Sequence, residues 1–130
     1  MNHLAGSKPH RLRVEMMSLA GNLWTSAEYA SFTLDTEANS YAIHLSGYVG
    51  DAGDAFNSAG QTVNGTKFST FDVNNNAGTS NCAAVMQYGW WFSSGCSVYG
   101  AGTSPNQSSG LVWSTDPNQV QAVVRMMLWF

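Results

Sequence analysis

Between Lys67 and Cys96 the chain gathers an oxygen-rich turn, two cysteines and the tryptophan pair Trp90-Trp91, and these are the residue types with chemistry to offer. Cys82 and Cys96 are the two cysteines of the chain, fourteen positions apart. Joined, they would close a loop of about 15 residues and remove unfolded-state entropy worth about 3 kcal/mol in the chain-entropy model. Such a bond persists in an oxidising compartment. Left reduced, they would be two small apolar core residues; the Gly, Ser and Asn around them favour the bond. The spacing excludes a C-x-x-C zinc or redox site, and His3, His10 and His44 are scattered. The turn is not an EF-hand, because the position that needs Gly holds Ala77 and the position that needs Glu holds Ala83. One reading of it is an Asn-rich turn held by bonds from side chain to backbone.

Composition narrows the class. At 130 residues the chain is at most one domain, long enough for one core. Charged residues make up 10% of it and the net charge is −3, which argues against nucleic acid and against an anionic membrane surface. No apolar run approaches the ~20 residues that cross a bilayer. The first residues lack an apolar stretch of about 7–15 residues, so no export signal is expected there. Asn64-Gly65-Thr66 and Asn106-Gln107-Ser108 fit the glycosylation acceptor pattern. A disulfide without an export signal reads as a fragment of a longer secreted protein.

The chemistry-bearing segment needs a scaffold, and residues 11 to 48 alternate as half-buried strands do. Leu12, Val14 and Met16 fall on one face, with Arg11, Arg13 and Glu15 on the other. Trp24 to Leu34 is a second extended segment, with a bulge between Tyr29 and Phe32. Tyr41-Ala42-Ile43-His44-Leu45 alternates again, which points Tyr41, Ile43 and Leu45 inward and His44 to solvent, without a role. Short connections make these an antiparallel sheet. Asp51 to Phe56 reads as a short helical turn opened by Asp51 as N-cap, and Asp54 as a second structural acid. Periodicity fades after Ala59, and Val120 to Phe130 reads as a buried strand returning to the sheet. Trp129-Phe130 is either core or an exposed edge.

An enzyme is not expected. No Gly-x-Ser-x-Gly elbow, His-x-x-x-His pair or Gly-rich phosphate loop is present. The carboxylates Glu15, Glu28, Asp35, Glu37, Asp51, Asp54, Asp72 and Asp116 lie on separate segments.

Several segments in order resemble the fibrinogen-like C-terminal globular domain of ficolins, tachylectins, tenascins and angiopoietins. They are Leu12-Arg13-Val14-Glu15, Tyr29 with Phe32, Tyr41 leading to Gly47-Tyr48, Ala52-Gly53-Asp54, Lys67-Phe68-Ser69-Thr70, Asn81-Cys82-Ala83, Gly89-Trp90-Trp91, Cys96, Gly110-Leu111-Val112-Trp113 and Met126-Met127. The resemblance implies an α+β fold: a twisted antiparallel sheet with short helices and a loop-rich, disulfide-closed binding subdomain. It divides the chain into a central sheet subdomain at about 1–60, a loop-rich binding subdomain at about 61–118 and a returning C-terminal strand at about 119–130. It also implies an N-terminal subdomain preceding Met1, whose loss would uncover a sheet edge and leave the isolated chain marginally stable.

The resemblance further implies two sites. In the family a D-x-D-x-D run supplies calcium ligands; here Asp72-Val73-Asn74-Asn75-Asn76 stands in that place. Asn74 and Asn76 replace the ligand aspartates, and Gly78 and Ser80 stand where main-chain carbonyls contribute. Carboxylate charge raises calcium affinity, so calcium is expected to bind weakly or not at all. The second site is a pocket for acetyl groups of glycans, made by Gly95, Cys96 and Ser97 with Tyr88 and Tyr99 as walls. Ser97 replaces the usual His, the segment between the cysteines is about one residue longer than usual, and Asp116-Pro117-Asn118 replaces a usual Trp. Trp90 and Trp91 are implied to be core rather than a sugar-stacking platform. The expected function is a secreted, lectin-like recognition domain of innate defence that binds glycans or acetylated ligands. The alternative is a module that binds a receptor or matrix protein, or an inactive fragment. Family members act as multimers through an N-terminal stalk.

Overall fold

The computed structural model describes Gly6, residues 8–18, 23–57, 62–93, Cys96, 111–113 and 120–129. Five antiparallel strands form its sheet: β1 (His10–Ser18), β2 (Trp24–Leu34), β3 (Ile43–Gly50), β4 (Leu111–Val112) and β5 (Val120–Trp129), in the order β3-β2-β1-β5-β4. One short helix, α1 (Cys82–Met86), and two single-turn 3-10 helices, Glu37–Asn39 and Ala55–Asn57, complete the described elements.

The alternation read from the sequence sets the sheet. Leu12, Val14 and Met16 are buried, and Arg11, Arg13 and Glu15 lie on the opposite face. There Arg11 and Arg13 pair with Glu28 at 3.4 and 3.3 Å, and Arg125 of β5 pairs with Glu15 while its guanidinium lies over the Trp24 ring. Arg125, then Arg13 at 2.8 Å, hold the Glu15 carboxyl below the usual carboxylate range. β1 and β2 pair His10 with Phe32 but Leu12 with Tyr29, so β2 carries the extra residue of a bulge between Tyr29 and Phe32.

Three expectations are corrected. Tyr41 does not continue β3 inward: Ser40 and Tyr41 sit at φ 53 and 51 in the turn before the strand, and Tyr41 is half-buried. Asp51 caps no helix. At Gly50, with φ 152, a Cβ would meet Ser26 O at 2.2 Å. This close approach returns the chain over β2, where the Asp51 carboxylate accepts the Ser26 N–H at 2.8 Å. β5 does return to the sheet, against β1, but it is not buried throughout. Val124 and Leu128 meet the core beside Met16 and Leu12, Val123 and Trp129 are exposed on the opposite face beside Met17 and Arg11, and Met126, opposite Val14, is exposed where β4 pairs only with Val120 and Gln121.

The inner sheet face packs against the segments that follow it. Phe56, fully buried, stacks on Tyr29 of β2 at 5.6 Å and meets Trp90 and Trp113 at 6.2 and 4.9 Å. Aromatic pairs at such separations add to the energy of area burial. Asp54 is structural, accepting the Tyr29 hydroxyl at 2.7 Å. Burial, then this bond, push the Tyr29 hydroxyl far above its ordinary pKa. His44 is exposed and lies 3.1 Å from Asp35, whose carboxyl it holds below the usual range.

The two sides of the sheet end differently. Along β3, Ile43 N–H donates to Thr66 O and Gly65 N–H to Ile43 O. The Asn64 carboxamide both accepts from Leu45 N–H and donates to Leu45 O, at 2.9 Å each. Its second N–H donates to Asn57 Oδ1, so the acceptor nitrogen of that glycosylation pattern is already engaged. Asn106 of the other pattern lies outside the described residues.

Candidate functional site

The turn from Lys67 to Asn81 hangs on the sheet and the tryptophan pair by main-chain bonds. Phe68 N–H donates to Ser40 O, and Ser69 and Trp90 exchange bonds at 3.0 and 3.2 Å. Trp91 donates its indole N–H to Tyr41 O at 2.9 Å and packs edge-on against Phe68. Both tryptophans are buried, so neither offers a face to a sugar. The Trp90 indole N–H is buried without a hydrogen-bond partner among the described residues.

Within the turn the asparagines bond the backbone. Asn75 donates to Phe68 O at 2.8 Å, and its N–H donates to Ser69 Oγ at 2.9 Å. Asn81 donates to Phe71 O and accepts the Ala84 N–H, capping α1. That cap was readable as an Asn before a short alanine run; Asn75 carried no such signal.

The expected metal residues lie close together in this turn. Asp72 is exposed and accepts the Thr70 hydroxyl at 2.7 Å. Asn74 Oδ1 accepts the Asn76 N–H at 3.3 Å. Asn76 donates its amide to Ser80 O at 3.0 Å and Gly78 O at 3.4 Å, and Cys82 N–H approaches its Oδ1 at 3.5 Å. Calcium asks for six to eight oxygens with carboxylate charge among them. Here one carboxylate is present, two carbonyls face an N–H donor, and no group of three or more acidic, His or Cys side chains gathers among the described residues. This donor set does not fit calcium.

The acetyl-pocket residues are only partly described. Cys96 is bonded to Cys82 with their Cα atoms 4.9 Å apart, which ties the first residue of α1 to the far side of the loop. Tyr88 is half-buried, stands 5.6 Å from Phe92 in ring centroids, and burial pushes its hydroxyl pKa up. Gly95, Ser97 and Tyr99 lie outside the described residues.

A feature absent from the sequence reading lies beside these. Thr70, Phe71 and Asp72 of the turn face Ala83, Ala84, Gln87, Tyr88 and Gly89 across a mainly apolar cleft of about 550 Å³. Phe71 is 75% exposed, and Val73 and Val85 are also exposed. An isolated exposed Phe is unremarkable in sequence; its place at the mouth of a cleft follows only from the turn's hydrogen bonds.

A buried-faced antiparallel sheet carrying a disulfide-closed, loop-rich region defines a class, and the sequence agrees with it. The chain belongs to the family described as "Fibrinogen beta and gamma chains, C-terminal globular domain", which matches residues 1–129. It is 42% identical to human angiopoietin-related protein 7 over 90 residues, covering 69% of this chain and 25% of that protein. It is 36% identical to Drosophila melanogaster protein scabrous over 93 residues, covering 72% of this chain and 11% of that protein. The fibrinogen-like globe domain of human ANGPTL2 superposes with a TM-score of 0.71 at 29% identity, covering 93% of this chain and 58% of that one. A lamprey fibrin D-dimer complexed with the peptide Gly-His-Arg-Pro-amide gives 0.73 at 26%, covering 95% and 46%. The chain thus spans a quarter or less of the length of these two curated relatives and about half of the two solved chains. Among the described residues no helix is long and apolar enough to cross a membrane.

Proposed function

We propose that this chain is an extracellular, non-catalytic recognition domain whose partner is a protein. The carrying observation is the apolar cleft between the 70–72 turn and α1, with Phe71 exposed at its mouth. A large aromatic at the mouth of an apolar cleft is the side-chain type that anchors protein interfaces. The Cys82–Cys96 bond supports an oxidising, extracellular setting. The resemblance to angiopoietin-related protein 7, and a fibrin relative complexed with a peptide, support a protein or peptide partner. The three subdomain ranges given above, with the loop-rich segment as the binding part, belong to this reading.

The second reading is a lectin head with Tyr88, Gly95, Cys96, Ser97 and Tyr99 around an acetyl group; half-buried Tyr88, packed against the core beside Phe92, favours it. The test is binding of the oxidised chain to a panel of secreted ectodomains, beside calorimetric titration with N-acetylglucosamine. The protein reading expects a saturable ectodomain partner that Phe71→Asp abolishes while the fold is retained, and no heat from the sugar. Saturable sugar heat that Phe71→Asp leaves unchanged, with no ectodomain partner, moves the assignment to the lectin.

A further inference from the structure

We propose that the Asn76 carboxamide takes the place of a cation in the 72–80 turn and makes the fold of this loop independent of calcium. A calcium ion here would be coordinated by the carbonyls of Gly78 and Ser80 and neutralised by carboxylates at 74 and 76. The structure turns the Asn76 side chain the other way round from a ligand. Its N–H donors point at Ser80 O and Gly78 O, and its oxygen faces Cys82 N–H. An N–H group satisfies a carbonyl lone pair as a cation would, without charge that must be balanced.

The surroundings are built to the same plan. Asn74 Oδ1 accepts the Asn76 N–H and brings no charge to the turn. Asp72 is the one carboxylate between Asp54 and Asp116, and it is exposed beside the Thr70 hydroxyl. Asn75 and Asn81 fasten the two ends of the turn to Phe68 O and Phe71 O. Four neutral carboxamides thus hold the backbone where a bound ion and its acidic ligands would otherwise be needed.

The inference stands apart from the identity of the partner, and calcium itself is the probe. Thermal unfolding and terbium luminescence are measured on the oxidised wild-type chain and on Asn74→Asp/Asn76→Asp, with calcium at about 1 mM, the weak end of extracellular sites, and with chelator. The wild type is expected to unfold at the same temperature in both conditions and to give no terbium signal. The double variant is expected to unfold at lower temperature with chelator, recover in calcium and bind terbium, because its acids restore the acceptors and charge. A wild-type transition that rises with calcium overturns the proposal, as does a folded double variant indifferent to calcium. Where the variant does not fold in either condition, the wild-type titration decides alone.

Discussion

β1 and β2 place Arg11, Arg13, Glu15 and Glu28 in a charged lattice on one face and bury Leu12, Val14, Met16 and Tyr29 on the other. Between Phe68 and Cys82 the one charged side chain is Asp72, and the polar bonds come from the carboxamides of Asn75, Asn76 and Asn81. The sheet therefore draws its order from burial, with its charges at the surface. The turn draws its order from neutral hydrogen bonds and a covalent tie. The two are coupled through Phe56, which touches Tyr29 on one side and Trp90 on the other.

That coupling is the first place to strike. Phe56→Ala empties the centre of the aromatic cluster and is expected to cost about 3–5 kcal/mol. Urea unfolding followed separately by tryptophan fluorescence and far-UV circular dichroism should give one weakened transition. Two separated transitions would mean that sheet and turn do not share a core. Next, Cys82→Ser/Cys96→Ser opens a 15-residue loop and is expected to cost about 3 kcal/mol, read as a lower urea midpoint. An unchanged midpoint would show that hydrogen bonds alone hold the turn.

The smallest effect separates the regions by charge. Glu15 and Asp35 have pKa values lowered in the fold, by Arg125 and His44 first. Their stabilisation is present above the ordinary carboxylate range and lost as pH falls through their folded values. Acidification from pH 7 should therefore lower the urea midpoint and loosen hydrogen-exchange protection in β1 and β2 before the 68–81 turn. Protection lost first in the turn would reverse the comparison.

The strands were readable because alternation reports one buried face: Leu12, Val14 and Met16 needed no knowledge of what covers them. β5 was harder. Val123-Val124 and Met126-Met127-Leu128-Trp129 are apolar on both faces, so periodicity cannot say which of them are covered, and the register against β1 decides, setting Val123 and Trp129 beside Met17 and Arg11 on the outer face. The misreading of Asp51 has a local cause, since an acid before a turn is a good N-cap unless a glycine like Gly50 sends it back over a strand. Asn74 and Asn76 were legible as the loss of two carboxylates. Which end of the Asn76 amide meets the carbonyls is not written in the residue type; it follows from the Cys82 N–H on its other side.

The carboxamide of Asn64 clamps Leu45 at one margin of the sheet, and Gly47 and Gly50, both at positive φ, twist the rest of that margin away from straightness. Growth of a sheet into a fibre requires each copy to offer two competent margins, one to receive and one to be received. Along β3, the main-chain groups of Ile43 and Leu45 are engaged by residues 64–66. The amide that fills a glycosylation pattern in the sequence thus also takes up main-chain groups of β3 that another strand could otherwise pair with.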